Sequence, residues 1–200
     1  MNAAVAFKDW AAICDAMGQG RQSIILRKGG LHEGREGFQF KHPEFVLFPT
    51  GFHEQLEKLR PGLSEGLRVR GARDGFIQFR EFVRLEWHAT VTDRAAAEAI
   101  APFHLYRDEV VRERFDYDEC PGLQIAFARV YRLTPPWELE ERPGFGGCRS
   151  WITLPSAIPA NAEMKPALSD EQHASLAERL DAWRANFDIS ASRFDTSVPA

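Results

Sequence analysis

Apolar and polar positions alternate from Arg80 to Thr92: Val83, Leu85, Trp87, Ala89 and Val91 fall on one side, Arg84, Glu86, His88, Thr90 and Thr92 on the other. Period two over this length predicts a strand with one buried and one wet face. LQIAFARVYRL (123–133) predicts a second long strand, ended by Pro135 and Pro136, because proline cannot donate to a ladder. Near the start, Trp10, Ile13, Cys14 and Met17 recur at i, i+3, i+4 and i+7. That stripe predicts a helix over Phe7–Met17, stopped by Gly18 and Gly20.

Shorter signals fill the intervals. SIILR (23–27) reads as a buried strand, and KGG (28–30) as a turn in which Gly29 and Gly30 accept positive φ. GFQF (37–40) and FVLF (45–48) read as two strands separated by Lys41, His42 and Pro43, and FHEQLEKL (52–59) as a short helix. Residues 60–75 form a polar, glycine-rich excursion. TDRAAAEAIAPF (92–103) predicts a capped helix ending near Pro102, and CRSWITL (148–154) a last strand. PSAIPANAEMKPAL (155–168) looks like a linker. Beyond it Ser169 and Gln172 make a capping box, and Leu176, Leu180, Trp183 and Phe187 make one apolar helix face.

Strands and helices mix without a regular βαβ rhythm. The fold class expected is therefore α+β, a mostly antiparallel mixed sheet or small β-barrel with flanking helices and a C-terminal amphipathic helix. The division expected is one α+β domain over 1–155. A linker and helix over 156–200 then dock on the body or on a partner, a homodimer included.

Composition narrows the class. An apolar fraction of 44% with 15 Phe and five Trp is enough for a packed core and argues against disorder. MNAAVAFKDW has no basic leader and is broken by Lys8 and Asp9, so no secretory signal is expected. Apolar runs are too short to cross a membrane. Cys14, Cys120 and Cys148 are odd in number and far apart, which points to a reducing, cytoplasmic setting. The net charge of −4 hides an asymmetry. Residues 21–80 carry eleven Lys/Arg against seven Asp/Glu, while acidic residues gather at Asp108–Glu119 and Glu138–Glu141. A basic half on an acidic chain suits an anionic partner.

Several chemistries are excluded by spacing. RKGGLHEG (27–34) lacks the GxxxxGK[ST] phosphate loop, and no GxGxxG opens a helix. The six histidines show no HxH, HxxxH or HExxH pairing, no G-x-S-x-G elbow occurs, and no cofactor is implied. A restriction-type nuclease needs Glu-x-Lys on a strand. The one instance, Glu163-Met164-Lys165, falls in the linker-like stretch, where no strand is expected. GFGGCRSW (144–151) sets Cys148 and Ser150 after three glycines, where backbone N–H groups would meet a ligand. For nucleic acid the ingredients are Arg27, Lys28, Arg35, Lys41, Arg68, Arg70 and Arg73, interleaved with Phe38, Phe40 and Phe45. Arg112 and Arg114 lie in the acidic run and are expected to form surface ion pairs.

Residues 7–55, FKDWAAICDAMGQGRQSIILRKGGLHEGREGFQFKHPEFVLFPTGFHEQ, resemble a bacterial domain family of unknown function, DUF1802. So do PFHLYRDEVVRERFDY (102–117), LQIAFARVYRL and GGCRSWITL (146–154), and the likeness covers about 7–155. The resemblance implies no defined activity. Association of some relatives with restriction-type nuclease domains implies a nucleic-acid processing or defence setting. A helix ending AMGQG, a strand ending LRKGG and the later ARVYRLTPPWEL are also similar to ASCH and PUA-like barrels, which bind RNA or modified bases. HEGREG stands where those barrels carry a Gly-Asp pair.

The expectation is a strand–turn–strand–strand unit over Arg27–Thr50 whose polar edge, Arg27, Lys28, His42, Thr50 and His53, rims a cleft for nucleic acid or a modified base. A metal-dependent hydrolase or nuclease using His42, Glu44, His53 and His88 is the alternative, and a protein-interaction module the third. Whether the chain is catalytic stays open.

Overall fold

The structure is a computed structural model describing residues 3–28, 38–51, 54–69, 72–73, 75–117, 119–147 and 149–194. Strand β1 (Val5–Trp10) runs directly into helix α1 (Ala11–Gly18). The helix expected from Phe7 thus begins four residues later. Phe7 and Lys8 pair in parallel with Leu47 and Phe48, so the backbone of this stretch is committed to the sheet. All eight residues of α1 are buried, and Gln55 accepts the Ala12 N–H at 2.9 Å, capping its start from a distant loop. Strands β2 (Ile24–Arg27) and β3 (Glu44–Thr50) follow. Phe38–Phe40, expected within a strand, take no regular structure although both Phe side chains are buried. Residues 54–58 form turns where a helix was expected. The chain there bonds across instead, Arg60 N–H to Leu105 O at 2.9 Å and Arg107 N–H to Lys58 O at 3.0 Å.

The short β4 (Ala72–Arg73) precedes the long β5 (Phe76–Val91). Helix α2 (Arg94–Ala99), capped by the Asp93 carboxylate, and helix α3 (Asp108–Phe115) lead into β6 (Leu123–Glu140). β6 passes through Pro135 and Pro136 instead of ending there. Glu81 pairs with Arg132 and Phe79 with Trp137, so residues 133–136 face a single residue of β5. The prolines sit in that irregularity, where β5 asks for no regular ladder of N–H donors. Strand β7 (Trp151–Thr153) follows, and then β8 (Glu163–Pro166), which pairs with Tyr131–Thr134 of β6. Glu163-Met164-Lys165 is therefore a strand, not a linker, and its side chains are exposed.

The sheet runs β2-β6-β5-β3-β1-β7, with β4 on β5 and β8 on β6. Every pairing is antiparallel except β1 with β3. Both faces carry a core. Phe7, Phe45, Leu85, Trp87, Phe127 and their neighbours fill one side, and Ala6, Phe48, Phe79, Leu133 and Trp137 the other. Helix α4 (Asp170–Asn186) opens on the Ser169–Gln172 capping box. It buries Leu180 and Trp183 in the larger core, with Trp183 Nε1–H donating to Ala96 O at 3.1 Å. The chain then reaches β5, where His88 and Ser192 exchange backbone hydrogen bonds of 2.9 Å. No helix among the described residues is long and apolar enough to cross a membrane.

β2 and β7 are the two ends of the sheet, yet they meet. Arg27, the last residue of β2, donates through Nη2 and Nε to Ser150 Oγ at 3.1 and 3.4 Å, one residue before β7. Its guanidinium lies 5.2 Å from the Phe7 ring centre on β1. A side-chain contact thus bridges the two ends of the open sheet.

A second polar clip holds α1 to β5. Arg68 Nε donates to Asp15 Oδ1 at 2.7 Å and its Nη2 to Glu81 Oε1 at 2.9 Å. Gly18 is required beside it, because a Cβ there would sit 2.8 Å from Glu81 Oε1. Burial raises the Glu81 carboxyl to about 7, outweighing the Arg68 charge that favours ionisation.

Two outcomes follow from these contacts. A folded-state pKa above the unfolded value stabilises at low pH, and that contribution is lost as pH rises from about 4.5 through 7. Denaturant unfolding of Glu81→Gln should accordingly gain on wild type between pH 5 and pH 8.5, by up to about 3 kcal/mol. A constant difference across that range would show that Glu81 titrates normally. A double-mutant cycle of Arg27→Ala and Ser150→Ala should give a coupling of about 0.5–1.5 kcal/mol. Strict additivity would mean the edges do not meet in solution.

Candidate functional site

The meeting of β2 with β7 gathers aromatic rings around Phe7. Phe45 and Trp151 lie 5.5 and 4.8 Å from it, and Phe38 and Phe40 lie 5.8 and 6.3 Å away. Trp151 is the half-buried outer member. It stacks parallel to Phe38 at 6.3 Å, meets His42 edge-on at 5.0 Å, and donates Nε1–H to Gln39 O at 3.1 Å. Lys41 and Arg149 are exposed beside this rim. His42 is half-buried, and burial followed by the Lys41 charge lowers its pKa, so the ring is neutral at physiological pH.

Behind Arg27 the interior turns polar. Asp9, 2% exposed, accepts the Trp10 N–H on Oδ1 at 2.8 Å, while its Oδ2 has no hydrogen-bond partner among the described residues. Thr50 Oγ1–H donates to Asp9 O at 2.8 Å, holding this end of β1 in place. The Tyr106 hydroxyl is also fully buried, and it interacts with the Arg114 guanidinium. Arg114 lies over both aromatic rings here, its Cζ 4.2 Å from the Tyr106 centroid and 5.0 Å from that of Trp10. Its Nη1 donates to Leu26 O at 2.9 Å. Burial pushes the Tyr106 hydroxyl up to about 12, and the Asp9 charge adds to the push. Burial alone would lower Arg114; Tyr106 and Asp9 outweigh it and raise its pKa. A buried polar atom without a partner costs about 1–3 kcal/mol, so Asp9 Oδ2 calls for an explanation.

The residues singled out in the sequence divide. Arg27, Ser150 and His42 converge on the aromatic rim. Lys28 turns away, its ammonium donating to the carbonyls of Phe115 and Cys120 at 3.4 and 2.5 Å at the end of α3. Thr50 supports Asp9. Glu44 pairs with Arg84 at 2.7 Å on the exposed surface. His88 lies between Phe40 and Phe194 at 5.9 and 5.2 Å, on a groove of about 560 Å³ that Phe38, Gln39 and Phe40 of the rim also line, with Thr90, Gln124 and Ser192 opposite. His53, Cys148, Arg35 and Arg70 lie outside the described residues. Phe38, Phe40 and Phe45 are core residues with at most 4% exposure, so the ring faces open to a ligand belong to Trp151, His42 and Trp10. Arg68 is spent on Asp15 and Glu81. Among the described residues no three His, Cys, Asp or Glu side chains converge as a metal site would require.

Asp9, Tyr106 and Arg114 were not legible as a site. Arg114 in an acidic run reads as a surface ion pair. Arg112 is one, bonded to Glu98 at 3.3 Å, but two positions further along α3 the side chain points inward, and Arg114 is buried.

No curated protein matches the chain. Similar solved structures include a serine-to-alanine mutant of ZmASCH from Zymomonas mobilis. It is 11% identical with a TM-score of 0.48, and the match covers 90% of this chain and 99% of that one. ASCH from the same organism is 13% identical with a TM-score of 0.45, covering 87% and 93%. The model of the family described as "Domain of unknown function (DUF1802)" matches residues 6–179. From β1 to within α4, this chain belongs to the DUF1802 family.

Proposed function

We propose that the face where β2 meets β7 binds nucleic acid, single-stranded in preference to duplex. The observation that carries this reading is the convergence of cations and accessible rings at one place. Exposed Lys41 and Arg149 and half-buried Arg27 flank the half-buried rings of Trp151 and His42. Cations beside ring faces suit an unpaired strand, whose phosphates seek charge and whose bases stack. The neutral His42 ring offers a stacking surface without a charge of its own.

The protein's net charge of −4 makes the attraction local, so binding should weaken steeply with salt yet tolerate chelator. Fluorescence anisotropy with single- and double-stranded DNA and RNA of equal length, titrated from 50 to 300 mM salt with and without EDTA, measures this. Lys41→Ala/Arg149→Ala should lower affinity for every sequence and flatten the log–log salt slope by about 1.4 on single strands. Lys28→Ala should leave the slope nearly unchanged, because that ammonium is occupied by the Phe115 and Cys120 carbonyls. Absence of salt-sensitive binding would refute the reading. Metal-dependent degradation of the strand would replace it with the hydrolase alternative.

A further inference from the structure

The groove beside the rim begins where β5 loses a neighbour. β3 pairs with β5 as far as Glu44 opposite Arg84, and the Leu85 N–H then donates to Pro43 O at 2.8 Å. Beyond that point the same edge of β5 meets the segment after α4, where His88 and Ser192 exchange both backbone bonds at 2.9 Å. In an antiparallel ladder the next residue to present its N–H and C=O on that edge is Thr90, with Ser190 opposite. That rung does not form. The chain leaves α4 through Asp188 at φ 51°, the Ile189 N–H turns back to Arg184 O at 2.9 Å, and Thr90 and Ser190 make no backbone bond. The groove of about 560 Å³ opens at the missing rung, lined by both residues.

Its lining decides what fills it. The hydroxyls of Thr90, Ser190 and Ser192 and the amide of Gln124, which donates to Thr90 Oγ1 at 2.9 Å, are uncharged donors and acceptors. Half-buried Phe187 adds a ring, and burial lowers the His88 pKa, so that imidazole is neutral too. Among the described residues, the charges on the lining are the exposed carboxylates of Asp93 and Asp188. They repel a phosphate. A flat uncharged group with a donor beside an acceptor suits the groove instead. One wall, Phe38–Phe40, is the back of the rim: Gln39 O holds Trp151 Nε1–H at 3.1 Å, and exposed Lys41 follows two residues on. A strand with a phosphate at Lys41 is placed to turn one base over Gln39. We infer that the groove holds an unpaired nucleobase of the strand bound at the seam, its edge met by the backbone N–H and C=O of Thr90. Splayed bases are bonded along such edges, and each of the common bases offers a donor beside an acceptor there, so the subsite is tolerant of sequence.

The groove assignment rests on nucleic-acid binding at the seam, and the test keeps the two apart. Anisotropy is measured with single-stranded tetranucleotides, intact or with one abasic site at each position in turn. Ser190→Trp places a ring in the groove from an exposed position. It should lower affinity for the intact strand by at least about 5-fold. The log–log salt slope should stay unchanged, because no phosphate contact is lost. An abasic site at one position should cost wild type at least about 5-fold and cost Ser190→Trp nothing further. Independently of any variant, the Thr90 amide should shift in NMR spectra of wild type when the intact strand is added. Salt-sensitive binding with an unmoved Thr90 amide overturns the groove and leaves the seam standing. An abasic penalty that persists at every position in Ser190→Trp also overturns it, since the base then lies elsewhere. A Thr90 amide moved by a lysine-rich peptide but not by the strand overturns it as well, giving this edge to an extended peptide. No binding of any strand overturns both readings.

Discussion

At the two ends of the open sheet, Arg27 meets Ser150. Strands β2 and β7 terminate the hydrogen-bonded order, and no named pairing joins them. Side chains do the closing instead. A guanidinium laid over Phe7 and bonded to Ser150 brings the last residue of β2 to the threshold of β7. Arginine suits this place because its planar head stacks on a ring and donates at the same time. A backbone ladder there would have satisfied the edges and left nothing for a ligand. Closure by side chains keeps charge and aromatic surface at the seam.

What lies beneath the seam follows from the order of elements. β1 carries Phe7 and Asp9 toward the larger core and Lys8 to the other side, where its ammonium meets the Gly146 and Gly147 carbonyls. Tyr106 and Arg114 come from the stretch around α3, which packs behind β2 through the Leu26 carbonyl. Three polar side chains thus meet where a core would ordinarily be apolar. One of their atoms, Asp9 Oδ2, goes unpartnered among the described residues. The clip of Asp15, Arg68 and Glu81 makes a useful contrast. It is also buried and polar, but its Arg68 is committed to both carboxylates, and it reads as structural.

Much of the scaffold was legible from periodicity. The alternation in β5, the Asp93 cap of α2 and the capping box of α4 are local signals, and the structure realises each of them. The failures came where partners distant in sequence decided the outcome. Phe7–Trp10 carries part of a helical stripe but is held by pairing with β3. Pro135 and Pro136 end most strands, yet a mismatch with β5 accommodates them. Residues 163–166 have weak strand character and became a strand because β6 offered a free edge. For the site, Arg27, His42 and Ser150 stood out by residue type and neighbourhood. Asp9 and Tyr106 had no local mark, because what distinguishes them is burial beside the Arg114 charge, which only the packed interior reveals.

The central proposal is that single-stranded nucleic acid binds at the seam between β2 and β7. Photo-cross-linking with a single-stranded oligomer carrying 4-thiouracil or 6-thioguanine, followed by mass spectrometry of the adducts, tests that most directly. Adducts concentrated on Trp151 and His42 are the predicted result. Adducts on α4, or on the groove bordered by His88 and Ser192, with none at the seam, would contradict it.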